Sequence, residues 1–457
     1  MVFSSNFVDD LLNISPVDGR YGEVTEPLRM VFSEQALMRY RVLVEVDYFI
    51  ALCKIPLPQL RDIPPGGLEK IRKIAAGFSN ADAQRIKQIE QTTRHDIKAV
   101  EYFIRERFDE LGLGSYKEFV HFGLTSQDVN NTAMPMMLKQ AMESVLYPAL
   151  EELLDTLREL SNKWLHIPML AHTHGQPASP TTMGKEIMVF YERLNIRRQD
   201  LKGIPFPAKF GGATGNFNAH HICYPEIDWV SFANEFCISL GLKRSQITTQ
   251  IDHYDGLAAL FDGMKRLCTI LLDLDRDFWT YISMDYFKQK IVDGEVGSSA
   301  MPHKVNPIDF ENAEGNAGIA IALFEHLSAK LPVSRLQRDL SDSTVLRNTG
   351  LPLGHMLIAL KATRRGLVKI SLHEEKIHRD LEDNMVVVAE AIQHLLRTLG
   401  YPDPYRALKA LTRKNKPVTK ETLHQFIDQL DIDQEQKEKL KRINPFNYTG
   451  IIPKPIE

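Results

Sequence analysis

A glycine- and proline-rich loop, residues 293–307, carries side chains suited to stabilising negative charge. Its second part reads GSSAMPHKVNP and leads into a predicted helix. A hydroxyl, an ammonium and an amide come together here, on Ser298, Lys304 and Asn306, where the dipole of the following helix favours anions. Loops of this composition are often simple connections, so glycine and serine alone would predict no function. A serine acts as a base only when its alkoxide is strongly stabilised, and Lys304 is the obvious cation for that purpose.

A histidine beside a predicted turn is the second candidate for chemistry. His174 lies in the segment 173–178, THGQPA, where Gly and Pro indicate a turn. A lone histidine is more often structural, but its place next to such a turn in a chain that also carries the loop around Ser298 favours a functional role. His172 completes a His-x-His pattern that occurs at metal sites, yet further ligands at suitable spacing are lacking. We therefore predict no metal here.

Helices are the elements predicted to position these residues. Apolar residues recur mostly three or four positions apart with charged residues between them, as in amphipathic and bundle helices. The predicted helices are 146–164, 257–282, one starting near Asp309, 313–331, 351–367, and one from near Leu381 that is closed by Gly400 and Pro402. Pro148 is expected at a kink or a first turn. Strand signals are few and do not alternate with helices, which argues against a parallel sheet or a barrel.

The long helical middle section defines the expected domain organisation. It spans residues 115–367, includes the loop 293–307, and is flanked by an N-terminal helical region, 1–114, and a C-terminal one, 368–457.

Composition and charge exclude several classes of protein. The 457 residues are 44% hydrophobic and 25% charged, as in soluble globular proteins, and a net charge of -4 lacks the basic field that nucleic-acid binding needs. No positive residue precedes Arg20, as a signal peptide would require, and the apolar stretch 317–324 is too short to cross a bilayer. The four cysteines have neither disulfide nor zinc spacing. We expect a cytoplasmic protein that binds neither nucleic acid nor a membrane.

Segment 297–307 resembles the signature of the fumarase/aspartase superfamily, G-S-S-x-M-P-x-K-x-N. Three further segments resemble the adenylosuccinate lyase family within it, in its longer bacterial form: 92–96 (TTRHD), 173–178 (THGQPA) and 337–348 (QRDLSDSTVLRN). This resemblance implies an all-α fold of three largely helical domains, with a central bundle of long helices.

The same resemblance implies a reaction. Members remove fumarate by β-elimination in purine biosynthesis, from adenylosuccinate to give AMP and from succinyl-aminoimidazole-carboxamide ribotide to give the carboxamide ribotide, without metal or organic cofactor. It assigns the general base to Ser298 and the general acid to His174. Lys304 and Asn306 match the residues that stabilise the aci-carboxylate intermediate.

Substrate contacts follow from the resemblance position by position. They would include the phosphate contacts of the segment 15–21, SPVDGRY, and a carboxylate contact in the T-S-x-D segment 125–128. The implied substrate-binding residues are Arg20, Tyr21, Arg94, His95, Asp96, Thr125, Ser126, Gln250, Ser299, Lys304, Val305, Asn306, Asn312, Arg338, Ser343, Thr344, Val345, Leu346 and Arg347. Arg94 stands where the family more often has Asn or another small polar residue, so its contact stays open.

Simpler explanations exist for some of these positions. Thr125 or Ser126 would also serve as the N-cap of a helix, and His95 with Asp96 would also be a polar pair on a helix surface.

Two other functions remain open. An argininosuccinate lyase shares the superfamily signature, but the arginines at 20, 338 and 347 would then have no phosphate to bind. A structural protein built on the same scaffold is the other alternative, against which the intact set of Ser298, Lys304, Asn306 and His174 argues.

The layout of the chain also bears on assembly. His174 follows one long helical segment and Ser298 follows another, 124 residues later (298 − 174). Since a long helix separates its two ends by ~1.5 Å per residue, groups at opposite ends meet most readily when a second subunit runs antiparallel beside the first. The resemblance implies a homotetramer whose active sites each draw on three subunits.

Overall fold

The computed structural model describes residues 12–290, 301, 304–412 and 418–457. It is 65% helical. The α-helices in chain order are α1 (Gly22–Phe32), α2 (Glu34–Leu52), α3 (Gly67–Ala76), α4 (Asn80–Thr93), α5 (Asp96–Glu110), α6 (Ser126–Ala141), α7 (Tyr147–Lys163), α8 (Met183–Lys202), α9 (Asn218–Cys223), α10 (Trp229–Ser239), α11 (Asp255–Ser283), α12 (Ile308–Lys330), α13 (Ser341–Leu346), α14 (Gly350–Lys369), α15 (Glu374–Asp383), α16 (Ala389–Thr398), α17 (Pro404–Thr412), α18 (Lys420–Asp428) and α19 (Gln434–Lys441).

Shorter elements connect these helices. There are 3₁₀ turns at Pro58–Leu60, Gly114–Phe119 and Met385–Val388, and a π-helical turn at Met142–Leu146. The strands pair two by two: β1 (Pro168–Thr173) with β2 (Gln176–Thr182), β3 (Pro207–Ala208) with β4 (Lys243–Arg244), and β5 (Phe287–Gln289) with β6 (Ile370–Leu372). The predicted helical class is confirmed. Over the described ranges, no helix has the length and apolarity to cross a membrane.

The predicted long helices agree with α7, α11, α12 and α14 to within a few residues. One prediction is wrong in position: Leu381 lies in the last turn of α15, and the helix that Gly400 closes begins at Ala389. Pro148 is the second residue of α7, directly after the π-helical turn. Because proline has no N–H for the ordinary helical hydrogen bond, a widened turn before it is the expected accommodation.

Two compact units divide the chain. The first is drawn from Met1–Leu150, Arg197–Thr269 and Gly315–Leu360, and the second from Glu151–Ile196, Ile270–Glu314 and Lys361–Glu457. The three consecutive domains expected from the sequence are a different division, and they remain a prediction.

Helix α2 forms the centre of the first unit. Most of its residues are buried on all sides, and it packs against α3, α5 and α6. A helix that is apolar around its circumference belongs in a core. Aromatic rings gather at its C-terminal half, where Tyr48 lies 5.3 Å from Phe210 and 5.9 Å from Phe236 between ring centroids. Two charged residues of α2, Arg41 and Glu45, are buried as well and need partners.

The second unit has an aromatic core and a separate C-terminal cluster. Phe278 stacks on Phe287 at 5.4 Å and on Phe310 at 5.7 Å between ring centroids. Towards the C-terminus, the 3₁₀ turn Met385–Val388 and helices α16 to α19 bury an aliphatic cluster: Met385, Val388, Ile392, Leu396, Leu408, Leu423, Ile427, Leu430 and Leu440. This cluster gives the C-terminal segment a core of its own.

A glycine at the start of α8 allows a close backbone contact in the second unit. The Gly184 N–H donates to the Trp164 carbonyl at 3.0 Å, and the Ser161 hydroxyl donates to the Gly184 carbonyl at 2.8 Å. A Cβ atom at position 184 would lie 2.2 Å from the Ser161 carbonyl oxygen and 2.5 Å from the Leu165 Cα. These are backbone atoms, so they cannot move aside as a flexible side chain would.

We therefore expect Gly184→Ala to lower the free energy of unfolding by about 3 kcal/mol, at the upper end of typical overpacking costs. Ser161→Ala is the matched control, because it removes only the hydrogen bond at the same contact and should cost about 1 kcal/mol. Urea denaturation of both variants measures the difference. A Gly184→Ala protein as stable as Ser161→Ala would contradict the close approach.

Candidate active site

The junction between α4 and α5 carries three of the predicted site residues. Arg94 caps the C-terminus of α4 in the left-handed region, with φ 54°. Because Asn adopts this conformation more readily than most residues, the backbone explains why a small polar residue would suit this position. His95 is the N-cap of α5, and its Nδ1 accepts a hydrogen bond from the Lys98 N–H at 3.2 Å. The other ring nitrogen, Nε2, is thus the one that can carry a proton towards a ligand.

Asp96 lies between two arginines. Its Oδ2 accepts from an Arg41 Nη2 at 2.8 Å and from an Arg347 Nη2 at 2.9 Å. Burial would raise the pKa of the Asp96 carboxyl, but Arg41, the Ile97 amide and Arg347 together lower it below its ordinary value. Arg41 is 5% exposed at its side chain and Arg347 48%. The buried arginine thus fixes the carboxylate, and the carboxylate in turn orients the exposed arginine.

The T-S-x-D segment opens α6. Thr125 is its N-cap, and the Asp128 carboxylate accepts the Thr125 N–H at 2.8 Å. The predicted role of this segment as a helix cap is confirmed. Asp128 also accepts the N–H groups of Gly211 at 2.8 Å and Gly212 at 3.1 Å. One buried carboxylate thereby connects the turn at Thr125 to the glycine-rich segment beyond β3, residues 211–215.

The charge of Asp128 is balanced by a buried lysine. Lys209 Nζ lies 2.8 Å from Asp128 Oδ1, and both side chains are fully buried. Burial lowers the pKa of Lys209, and the Asp128 carboxylate opposes that effect only in part.

Arg338 joins two other predicted residues. It donates to Gln250 Oε1 at 3.2 Å and to Ser343 Oγ at 3.1 Å. The Gln250 amide also donates to the Ala213 carbonyl at 3.2 Å, which ties this group to the glycine-rich segment. Gln127, beside Ser126, donates to the same Ser343 hydroxyl at 3.3 Å.

A buried polar network supports Arg338 from behind. The Tyr254 hydroxyl donates to Asp342 Oδ2 at 2.9 Å and accepts from the Asn131 amide at 2.8 Å. Asn131 also accepts the Asp252 N–H at 2.7 Å. Since Asp342 lies 3.7 Å from Arg338 Nε, the network both positions the guanidinium and partly balances its charge.

The remaining predicted residues of the first unit occupy two short elements. Thr344, Val345 and Leu346 lie with Ser343 in α13. Arg20 and Tyr21 follow a turn in which the Gly19 N–H donates to the Ser15 carbonyl at 3.1 Å, and Tyr21 is the N-cap of α1.

His174 lies at the tip of the β1–β2 hairpin. Thr173 pairs with Gln176, so His174 and Gly175 form a two-residue turn. Both have positive φ, 54° and 71°, as a type I′ turn requires. The sequence indicated a turn next to the histidine, whereas in the structure the turn includes the histidine itself. The side chains around the tip are exposed. A non-glycine residue held in this region at a candidate catalytic position fits a functional constraint.

The signature loop is described only in part. Ser298 and Ser299 lie outside the described residues. Lys304 and Val305 are exposed, and the Gln289 amide donates to the Val305 carbonyl at 2.9 Å. Asn306 precedes α12, and Asn312 lies in its first turns. His174 and these residues belong to the second unit, whereas the arginines belong to the first.

The structure therefore brings together several predicted residues within the first unit: Asp96 with Arg347, and Arg338 with Gln250 and Ser343. It adds three residues that the sequence reading missed, namely Arg41, Asp128 and Lys209. Arg41 directly precedes the apolar run 42–44 of α2, and a charge next to such a run indicates a residue that is buried with a partner. Among the residues described, no group of three or more His, Cys, Asp or Glu side chains is arranged to hold a metal ion.

Family models and a solved structure match most of the chain. A family model described as Lyase matches residues 19–321, and one described as Adenylosuccinate lyase C-terminal matches residues 334–449. Among solved structures, 3-carboxy-cis,cis-muconate lactonizing enzyme from Pseudomonas putida is similar with a TM-score of 0.73 at 20% sequence identity, covering 97% of this chain and 96% of that one. At that identity the likeness concerns the fold alone.

Curated relatives carry a more specific likeness. Adenylosuccinate lyase of Dictyostelium discoideum is 56% identical over 98% of this chain and 98% of its own length. That of Escherichia coli K12 is 46% identical over 97% of both chains, and that of Haemophilus influenzae 46% over 98% of both. Identity of this extent, together with both family models, shows that the chain belongs to the adenylosuccinate lyase family.

Proposed function

We propose that this chain removes fumarate from adenylosuccinate, giving AMP, and from succinyl-aminoimidazole-carboxamide ribotide, giving the carboxamide ribotide. Family membership supports the reaction class. The observation that carries the choice of substrate is the group of arginines in the first unit. Within the described ranges, the ion pairs of Arg41, Arg338 and Arg347 are with two carboxylates, those of Asp96 and Asp342, so these pairs contain one more cation than anions.

This excess of positive charge suits a phosphate. Guanidinium groups bind phosphate through pairs of parallel hydrogen bonds, and Arg338 is already oriented by Gln250 and Ser343. Orientation before binding reduces the entropy that the side chain loses when the ligand arrives. Argininosuccinate carries no phosphate, so an argininosuccinate lyase would have no use for this group.

The chemistry is assigned to residues of the second unit. Ser298 takes the proton from the carbon next to a substrate carboxylate, and the resulting aci-carboxylate dianion is stabilised by Lys304 and Asn306. The C–N bond then breaks, its electron pair stays on the nitrogen, and His174 delivers a proton to that nitrogen. Fumarate and the amino product leave. The exposed position of His174 at the tip of a paired hairpin supports its role as a proton donor to a bound ligand.

We also propose that the chain assembles as a homotetramer in the cytoplasm, with each active site built from several subunits. The exposed hairpin tip around His174 supports this assembly, because a catalytic acid on such a tip can reach into the site of a neighbouring subunit. Binding of nucleic acid or of a membrane, and a requirement for a metal or organic cofactor, are not part of the proposal.

Fumarate release is the direct test of function. Purified protein should release fumarate from adenylosuccinate and from succinyl-aminoimidazole-carboxamide ribotide, but not from argininosuccinate, in an assay that measures absorbance.

Arg338→Ala should raise the KM for both nucleotides by about thirtyfold, from loss of ~2 kcal/mol of charged hydrogen bonding. Arg335→Ala is the control, because its side chain is 84% exposed three residues away. Activity on argininosuccinate alone, or equal KM values in the two variants, would refute the phosphate assignment.

Mixing variants tests the shared site. His174→Ala and Ser298→Ala should each be inactive, but subunits that are mixed and allowed to reassemble should regain activity. If acid and base come from different subunits, about one quarter of the sites in a random mixture contain both intact residues. Each variant reassembled alone is the control. Mixed oligomers, verified by mass, that stay as inactive as either parent would mean that one chain supplies both groups.

A further inference from the structure

Three buried polar residues of α2 lie along one stripe of the helix. Arg41, Glu45 and Tyr48 follow the i, i+4, i+7 spacing that places residues on the same face. They are 4%, 0% and 0% exposed. Burial of two opposite charges and a hydroxyl in a helix core is costly unless each finds a partner.

Each member of the stripe contacts the segment around the T-S-x-D turn. Glu45 Oε1 lies 2.5 Å from His121 Nδ1, and the Tyr48 hydroxyl donates to the Phe122 carbonyl at 2.7 Å. Beyond the turn, Arg41 Nε donates to Asn130 Oδ1 at 2.9 Å. The stripe therefore holds the chain on both sides of Thr125 and Ser126.

The backbone before this turn needs such support. His121 has φ 63° and Gly123 has φ 69°. A left-handed conformation costs an ordinary L-residue about 1–2 kcal/mol, so His121 stays there only if its side chain is held. Position 123 has no room for a side chain, because a Cβ atom there would lie 2.6 Å from the buried ring of His220.

The contact between Glu45 and His121 can be an ion pair as well as a hydrogen bond. Glu45 Oε2 is buried and has no hydrogen-bond partner within the described part of the chain, so the carboxylate is held through Oε1 by His121. Burial alone would lower the pKa of His121, but Glu45 raises it above its ordinary value, and Glu101 and Asp128 act in the same direction. The raised pKa of His121 favours its protonated form, and the charges that face His121 come from α2, α5 and α6.

We propose that Glu45 and His121 are positioning residues that hold the turn carrying Thr125 and Ser126, and that protonation of the pair makes the geometry of this turn depend on pH. The inference rests on the proposed function and on the substrate-carboxylate contact that the family resemblance implies for Thr125 and Ser126. It gives a role to two residues outside the predicted site.

The direction of the pH effect follows from the raised pKa of His121. The ionic attraction is fully present below the ordinary pKa of histidine and is lost as the pH rises through the raised value. In Glu45→Gln the hydrogen bond can persist but the charge is gone, so burial lowers the pKa of His121. The loss of the imidazolium then occurs at lower pH.

The experiment compares wild type, Glu45→Gln, His121→Asn and the double variant over a range of pH. At neutral pH each single variant should lower kcat/KM about tenfold, mainly through KM. The alkaline decline of kcat/KM in Glu45→Gln should move down by about one pH unit or more. The kcat/KM of the double variant should be no lower than that of the less active single variant, because both changes break the same interaction.

A control and a second readout separate positioning from folding. Asp275→Asn alters an equally buried carboxyl, which accepts from the Thr363 hydroxyl at 2.9 Å and belongs to the other unit, so it should leave the pH profile unchanged. The difference in melting temperature between wild type and Glu45→Gln should be largest at acid to neutral pH and shrink as the pH rises.

Two results would refute this inference while leaving the proposed function intact. One is an active wild type and a Glu45→Gln variant with the same pH profile, and the other is a double variant in which the two losses of kcat/KM add. A wild type without fumarate release would instead refute the proposed function, and this inference with it.

Discussion

The carboxylate of Asp128 and the ammonium of Lys209 are fully buried 2.8 Å apart, and the candidate substrate residues of the first unit depend on this pair. Asp128 accepts the N–H groups of Thr125, Gly211 and Gly212, so one side chain connects the start of α6 with the glycine-rich segment. A buried charge that loses its partner costs about 3–5 kcal/mol, which is why both partners must be present together. Replacing either alone would leave the other charge uncompensated.

Hydrogen bonds connect this buried pair, step by step, to side chains that are more exposed. Gln250 rests on the carbonyl of Ala213 in the glycine-rich segment and meets Arg338, which also contacts Ser343. On the other side of α6, Arg41 is buried and holds Asp96, which orients the half-exposed Arg347. The cations that can meet a ligand are thus oriented by hydrogen bonds to other side chains of the protein. Rigid support of this kind is what a site for a charged ligand requires.

The sequence predicted those parts that depend on local pattern. Long helices such as α11 and α14 have an unbroken apolar periodicity, and Thr125 has the chemistry of an N-cap. The hairpin bearing His174 was missed because both of its strands contain proline, Pro168 in β1 and Pro177 and Pro180 in β2, which argues against a strand in the sequence. Asp128 and Lys209 were missed because each looks like a surface charge, and only tertiary structure brings residues 81 positions apart into contact. At Arg94 the departure from the family pattern falls on a left-handed helix cap, where backbone geometry favours a small polar residue.

Amide hydrogen exchange in the substrate-free protein tests most directly whether the site is held in place by Asp128. Peptides spanning residues 121–131 and 207–217 should exchange slowly in the wild type without ligand, because the N–H groups of Thr125, Gly211 and Gly212 are bonded to a buried carboxylate. In Asp128→Asn both peptides should lose protection together, while residues 419–441 of the C-terminal cluster stay unchanged. Rapid exchange in the wild type until substrate is added, or loss of protection in one peptide alone, would contradict the account.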